Sequence, residues 1–274
     1  MRDLELLKEV LSVPTYTYEE DLMVEYITNW LKSNNIEYHV DEHSNVYAIK
    51  QTGELPEDFM FPCVVAHTDT VHKIDKINIR EEMLPNFQKE MKLSLKAYND
   101  KGLPTGIGGD DKCGVYACLE LLKELPNLKA GFFVSEETGC KGSQYADESF
   151  FKNVGYAIQF DAPENWMITE NCYGAQLFNR ESEFFNTCNK VITENMKEHR
   201  YMVHPYTDVY ALKTKFDFSC INISIGYYRY HTPHEYVVIE DTMTGIETGK
   251  KMIELLGYKK YVHAKQKSPK FRYW

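Results

Sequence analysis

The chain has 274 residues, 43% of them hydrophobic and 26% charged, with a formal net charge of −10. These values exclude long disorder, leave room for a substantial core, and disfavour a nucleic-acid or anionic-membrane surface. Seven scattered cysteines without a CxxC pair exclude a disulfide framework or structural zinc site, and no apolar run reaches about 18 residues, so a cytoplasmic chain is expected.

Apolar residues at helical spacing mark two opening helices, broken at Pro14: Leu4, Leu6, Leu7, Val10 and Leu11, then Leu22, Val24, Ile27 and Leu31. Tyr38 to Lys50 reads as two strands around a turn at His43-Ser44-Asn45. Three short apolar runs follow, each stopping at polar residues: Phe61 to Ala66 before His67, Ala130 to Val134 before Glu136 and Glu137, and Val154 to Phe160 before Asp161. Runs of this length between helical segments predict buried, largely parallel strands covered on both faces, a three-layer α/β/α sandwich in a single domain spanning 1–274. Ligands in such sheets bind beyond the carboxyl ends of the strands, so these polar residues are expected to converge.

Asp111 to Leu125 reads as a helix closed by Pro126, and Asn186 to Tyr201 as another. Phe218 to Ile225 reads as a strand, and Asp241 to Leu256 as a last helix ending at Gly257. Residues 259–274 are basic, with Tyr261, Phe271, Tyr273 and Trp274 interleaved, and read as a tail that its aromatics pin to its own domain.

In His67-Thr68-Asp69-Thr70, Asp69 could fix the imidazole of a metal-bound His67, although HxD alone better suits a structural histidine. Gly106 to Lys112 delivers Asp110 on a glycine-rich approach. A carboxylate there could bridge two divalent ions about 3.5–4 Å apart, or simply cap a helix. The adjacent acids Glu136 and Glu137 point different ways on an extended segment, so one could ligate while the other reaches a bound water. Asp161 and His231 are each ambiguous alone, but two histidines and three acids together suit zinc, with cobalt or manganese as alternatives.

Five motifs, AHTDT (66–70), GGDDKCG (108–114), SEETGCKGS (135–143), FDA (160–162) and HTPHE (231–235), occur in the order found in the co-catalytic zinc exopeptidases. The chain resembles that broad group, which includes the tripeptide aminopeptidase, M20, M28 and M42 families. The resemblance implies that His67, Asp110 and Asp161 hold one ion and Asp110, Glu137 and His231 the other. It also implies that Asp69 orients His67 and that Glu136 is general base and acid. His234 competes with His231, which is preferred because Glu235 supplies the acid at the family's spacing. Only 69 residues separate Asp161 from His231, and 42 separate His67 from Asp110, so no inserted lid or dimerisation domain is expected.

The implied activity is two-metal hydrolysis of peptide amide bonds, in first place by an aminopeptidase on short peptides. The alternatives are a carboxypeptidase or N-acyl amino-acid deacylase of the same fold, and an inactive binding or scaffold relative. His204, Asp208, Tyr227, Tyr228 and Arg229 are candidate substrate contacts, Arg229 being the one arginine nominated for a substrate carboxylate.

Overall fold

The computed structural model describes residues 2–73, 76–204 and 206–267. Two helices open the chain, α1 (Leu4–Ser12) and α2 (Asp21–Ser33). The Asp3 carboxylate caps α1 by accepting from Leu6 N at 3.1 Å, and Leu6, Leu7, Val10 and Leu11 form its buried stripe. In α2 the buried stripe is Met23, Ile27 and Leu31, whereas Leu22, expected inside, is exposed. Met23, four residues before Ile27 and eight before Leu31, takes the place on that stripe, and Leu22, about 100° round the helix, lies outside it. The hairpin of β1 (Glu37–Val40) and β2 (Val46–Lys50) turns where the Asp41 carboxylate accepts from His43 N and Asn45 N, each at 2.9 Å.

The chain continues through β3 (Phe61–His67), β4 (Asn78–Pro85), β5 (Met91–Tyr98), β6 (Pro104–Thr105), α3 (Gly109–Glu124) and β7 (Leu128–Phe133). After a 3-10 turn at Glu136–Thr138 come α4 (Lys141–Gln144), α5 (Glu148–Phe151), β8 (Val154–Ala162), β9 (Met167–Cys172), β10 (Ala175–Gln176) and α6 (Glu183–Asn195). The last elements are β11 (Arg200–Val203), α7 (Asp208–Lys215), β12 (Ser219–Ser224), β13 (Tyr227–Tyr228), β14 (Tyr236–Val238) and α8 (Ile239–Leu256).

The main sheet has the order β1-β2-β7-β3-β8-β12-β9-β10, with β11 beside β9. Its four central strands β7, β3, β8 and β12 are parallel, and antiparallel pairs flank them on both sides. Successive β8 side chains point to opposite faces. Tyr156 donates its hydroxyl to carbonyls of Ile253 and Gly257 at α8, while Gln159 meets α7 from the other face. With α3 packed beside α8, helices cover both sides of a mixed, largely parallel sheet, as the apolar runs predict.

Two features depart from expectation. The segment read as one helix from Asn186 to Tyr201 is α6 followed by β11, because Ser182 caps the helix early and Arg200–Val203 pairs in parallel with β9. Unpaired backbone at that sheet edge outweighs local helix propensity. A second sheet, β13-β14-β5-β4 with β6 on β5, was not anticipated. Its Leu95, Ala97, Tyr227 and Val237 are buried in the main core, which ties it to the same structural unit.

All seven cysteines are free and buried. Among the described residues no helix is long and apolar enough to cross a membrane. Of the expected basic tail, residues 268–274 lie outside the described residues. The described part is held down: Tyr261 donates its hydroxyl to Leu256 O, and Lys260 pairs with Asp217 at 2.6 Å.

Candidate active site

Parallel strands end at one edge of their sheet, and that edge gathers the polar residues. His67 is the last residue of β3, Asp161 lies one residue before the end of β8, and Glu136 and Glu137 sit in the 3-10 turn after β7. Asp110 stands in the first turn of α3, where the preceding glycines let the backbone come close. A Cβ added at Gly109 would lie 2.7 Å from Cβ of Tyr227. His231 arrives from the other sheet, on the link between β13 and β14.

Asp110 stands between the two imidazoles. Its Oδ1 is 3.1 Å from His67 Nε2, and its Oδ2 is 3.2 Å from His231 Nε2. Asp161 Oδ1 lies 3.6 Å from His67 Nε2, and Glu137 Oε1 lies 3.0 Å from His231 Nε2. Two groups that could each hold a metal ion result, His67 with Asp110 and Asp161, and Asp110 with Glu137 and His231; within each, donor atoms lie within 4.8 Å of one another. Glu136 belongs to neither, but its Oε2 is 4.0 Å from His67 Nε2. His234 stays out, its backbone N donating to Thr232 Oγ1.

The electrostatics of the cluster call for positive charge. Burial raises Glu136 well above the usual carboxylate range, and Asp161 and Asp208 add to it while His67 opposes it. Burial also raises Asp161 and Glu137 and brings Asp208 to about 7. For Asp110 burial works upward too, but hydrogen bonds from His231 and His67 outweigh it and the net shift is downward. Those with Asp110 and Glu137 raise His231 to about 10. No lysine or arginine lines the cavity among the described residues. The mixed nitrogen and oxygen donors therefore fit divalent cations, which would neutralise carboxylates that are costly to bury bare.

A ring of hydrogen bonds fixes these side chains from behind. Asp69 lies 3.2 Å from His67 Nδ1 through Oδ1. Its larger role went unforeseen: Oδ1 accepts from Glu136 N at 2.9 Å, and Oδ2 accepts from Glu137 N at 3.2 Å and Thr17 Oγ1 at 2.9 Å. Asp111 accepts from His67 N and Gly114 N, each at 3.1 Å. Glu235 accepts from Gly108 N at 2.8 Å and Asp110 N at 3.1 Å. Asn222 accepts from Asp161 N at 2.8 Å, and Gln159 Nε2 donates to Asp161 Oδ2 at 3.1 Å. Sequence reading missed Asp111, Gln159 and Asn222 as supports. A polar residue inside an apolar strand, as in VGYAIQFDA and SCINIS, was the available signal.

A cavity of about 420 Å³ opens over the cluster, lined by Asp110, Glu136, Asp161 and His231 and walled by aromatic and apolar side chains. Of the candidate substrate contacts, His204 and Tyr227 line it. Tyr227 donates to Asp161 Oδ1 at 3.4 Å, and His204 Nδ1 lies 2.6 Å from Tyr206 O. The other three do not. Tyr228 donates instead to Asp241 Oδ2 at 2.6 Å, Asp208 is fully buried beside Gln159, and Arg229 is exposed outside the lining. Strand alternation explains the first, since Tyr227 and Tyr228 must face opposite ways.

No protein-family model matches the chain, and no curated protein gives a significant sequence match. Solved structures do resemble it. Aminopeptidase PepT from Bacillus cereus matches with a TM-score of 0.74 at 12% identity, over 92% of this chain and 97% of that one. A tripeptidase from Staphylococcus aureus matches with a TM-score of 0.72 at 10% identity, over 92% and 97%. Aminopeptidase APDkam598 from the archaeon Desulfurococcus kamchatkensis gives 0.66 at 14% identity, over 93% and 94%. At such identities the likeness establishes the fold: the chain has the α/β architecture of these peptidases along nearly its whole length.

Proposed function

We propose that this protein hydrolyses peptide amide bonds with two divalent cations, as an aminopeptidase acting on short peptides. The observation that carries the reading is Asp110, which turns one carboxylate oxygen toward each imidazole, with Asp161 and Glu137 completing the two groups. His67, Asp110 and Asp161 would hold one cation and Asp110, Glu137 and His231 the other. Zinc suits the donors, with cobalt or manganese as alternatives. Bound there, the cations would supply polarisation of the scissile carbonyl and acidification of a water.

The chain's own residues do the rest. Glu136 takes a proton from the attacking water and returns it to the leaving amine. Asp69 steadies this base by holding the backbone of Glu136 and Glu137 while facing His67. Met167, Val203, Tyr206, Tyr227 and Tyr230 offer an apolar bed for a peptide side chain.

The acidic floor of the cavity favours a free ammonium terminus. A carboxypeptidase or N-acyl amino-acid deacylase needs a donor set for a carboxylate, and the described lining includes no lysine or arginine. That the similar solved structures include aminopeptidases and a tripeptidase supports the same choice. An inactive scaffold is disfavoured because all six chemically competent positions are retained and gathered.

The test compares hydrolysis of a tripeptide, its N-acetylated form and its C-terminal amide by protein loaded with zinc, cobalt or manganese. Cleavage of the tripeptide and its amide, with the acetylated form resistant, is expected; the reverse preference would favour the deacylase reading. Glu136→Gln should abolish turnover with metal content unchanged, and a fully active variant would remove Glu136 from the mechanism. Less than one bound metal equivalent with no activity would favour the scaffold.

A further inference from the structure

Glu136 uses its two carboxylate oxygens differently. Oε2 faces the ligand cluster, 4.0 Å from His67 Nε2. Oε1 points the other way and accepts from the Cys140 thiol at 3.2 Å. Cys140 is 1% exposed and held by its own backbone. Gly139 N and Cys140 N both donate to Glu136 O, at 2.8 and 2.7 Å, and Ser143 Oγ donates to Cys140 O at 3.2 Å. The thiol therefore sits at a fixed point of the loop that carries the acid. Burial, reinforced by Glu136, pushes its pKa well up and keeps it a donor.

We propose that Cys140 is a positioning residue for the reaction: its S–H group holds Oε1 of Glu136 so that Oε2 is presented to the attacking water. The inference rests on Glu136 being the base. The choice of a thiol has a chemical logic. A base must be held, yet a strong donor would stabilise the carboxylate and weaken it as a proton acceptor. A thiol is a weak donor that orients the group at small cost in basicity.

The experiment compares Cys140→Ser, which keeps a donor, with Cys140→Ala and Cys140→Val, which do not. In metal-loaded enzyme acting on the tripeptide, Ala and Val should lower kcat about tenfold, the worth of one modest hydrogen bond, with KM unchanged. Ser should stay within about threefold of the wild type, since it still offers a donor. Packing alone predicts the opposite order, because serine buries a more polar group than alanine.

A second readout needs no turnover and is taken on the metal-loaded protein. The infrared S–H stretching band that Cys140→Ser removes from the wild-type spectrum should sit at higher frequency in Glu136→Gln, where the charged acceptor is gone. Ala or Val as active as wild type, Ala matching or exceeding Ser, or an unmoved band would each overturn the inference. Those results with an inert Glu136→Gln would leave the peptidase reading standing. A fully active Glu136→Gln would instead sink the base assignment, and this inference with it.

Discussion

Asp69 offers the most direct test of how the site is held. Its carboxylate is fully buried and serves the backbone N–H groups of Glu136 and Glu137, the Thr17 hydroxyl and His67 Nδ1. Asp69→Ala would strand both N–H groups, while the Thr17 hydroxyl could turn to Thr70 O, 3.4 Å away. A buried donor without a partner costs about 1–3 kcal/mol, so two cost about 2–6 kcal/mol. That approaches the whole stability of an ordinary domain, about 5–15 kcal/mol.

Asp69→Asn is the sharper variant, because it keeps the volume. Its single oxygen can serve one side, and its amide must then face a backbone N–H on the other, donor against donor. One stranded group predicts a loss of about 1–3 kcal/mol. Urea unfolding of the metal-free protein measures this loss, and metal titration of the folded variant should show weakened binding as the Glu136–Thr138 turn loosens. A stability within about 0.5 kcal/mol of wild type would mean that these hydrogen bonds do not hold the turn, and would refute the reasoning.

The other predictions address packing, charge and ligand choice. A Cβ at Gly249 on α8 would sit inside the van der Waals envelope of the Phe160 ring, so Gly249→Ala should cost about 1–3 kcal/mol by overpacking. A melting temperature equal to wild type would show that the ring can move aside. Burial lowers Lys129 from 10.5 to about 8, so between those values the unfolded chain holds a proton that the folded chain has released. Its contribution to stability therefore rises with pH from about 8 to about 10.5. Lys129→Met should flatten that rise in urea unfolding across the window, and an unchanged slope would exclude Lys129 as its source. His231→Ala should weaken divalent-cation binding by about tenfold or more while His234→Ala leaves it unchanged, and calorimetric titration giving the opposite order would exchange the two histidines.

The edges of the central sheet were legible because an apolar run that stops at an acid or histidine states both the strand and its polar end. His67, Glu136, Glu137 and Asp161 all announce themselves in that way. His231 was separable from His234 by its spacing to Glu235, and the structure gives that acid a physical role on the backbone of Asp110. The second sheet was legible only in part. β5, MKLSLKAY, alternates apolar and polar residues at period two, a strand signal that went unread; in β4, NIREEMLP, Glu81 interrupts the face of Ile79 and Met83, and pairing with β5 makes it a strand. Between the adjacent acids Asp110 and Asp111 only the resemblance chose, and the structure separates their surroundings: Asp110 turns to the imidazoles, Asp111 to the His67 amide.

Taken together, the supports follow one pattern. The backbone N–H of His67 is bound by Asp111, that of Asp110 by Glu235, those of Glu136 and Glu137 by Asp69, and that of Asp161 by Asn222. Each residue at the strand ends and at α3 is thus anchored through its main chain by a buried side chain, which leaves its own carboxylate or imidazole free to face the cluster. Such anchoring answers a specific difficulty: mutually repelling carboxylates would otherwise spread apart, and their spacing must be set by something other than the cations they would bind. His231 is the contrast, on an exposed link with a positive φ of 58° and a side chain 42% exposed. Four of the five proposed ligands therefore belong to a preset frame. The fifth reaches in from the rim, where its position depends most on what the frame holds.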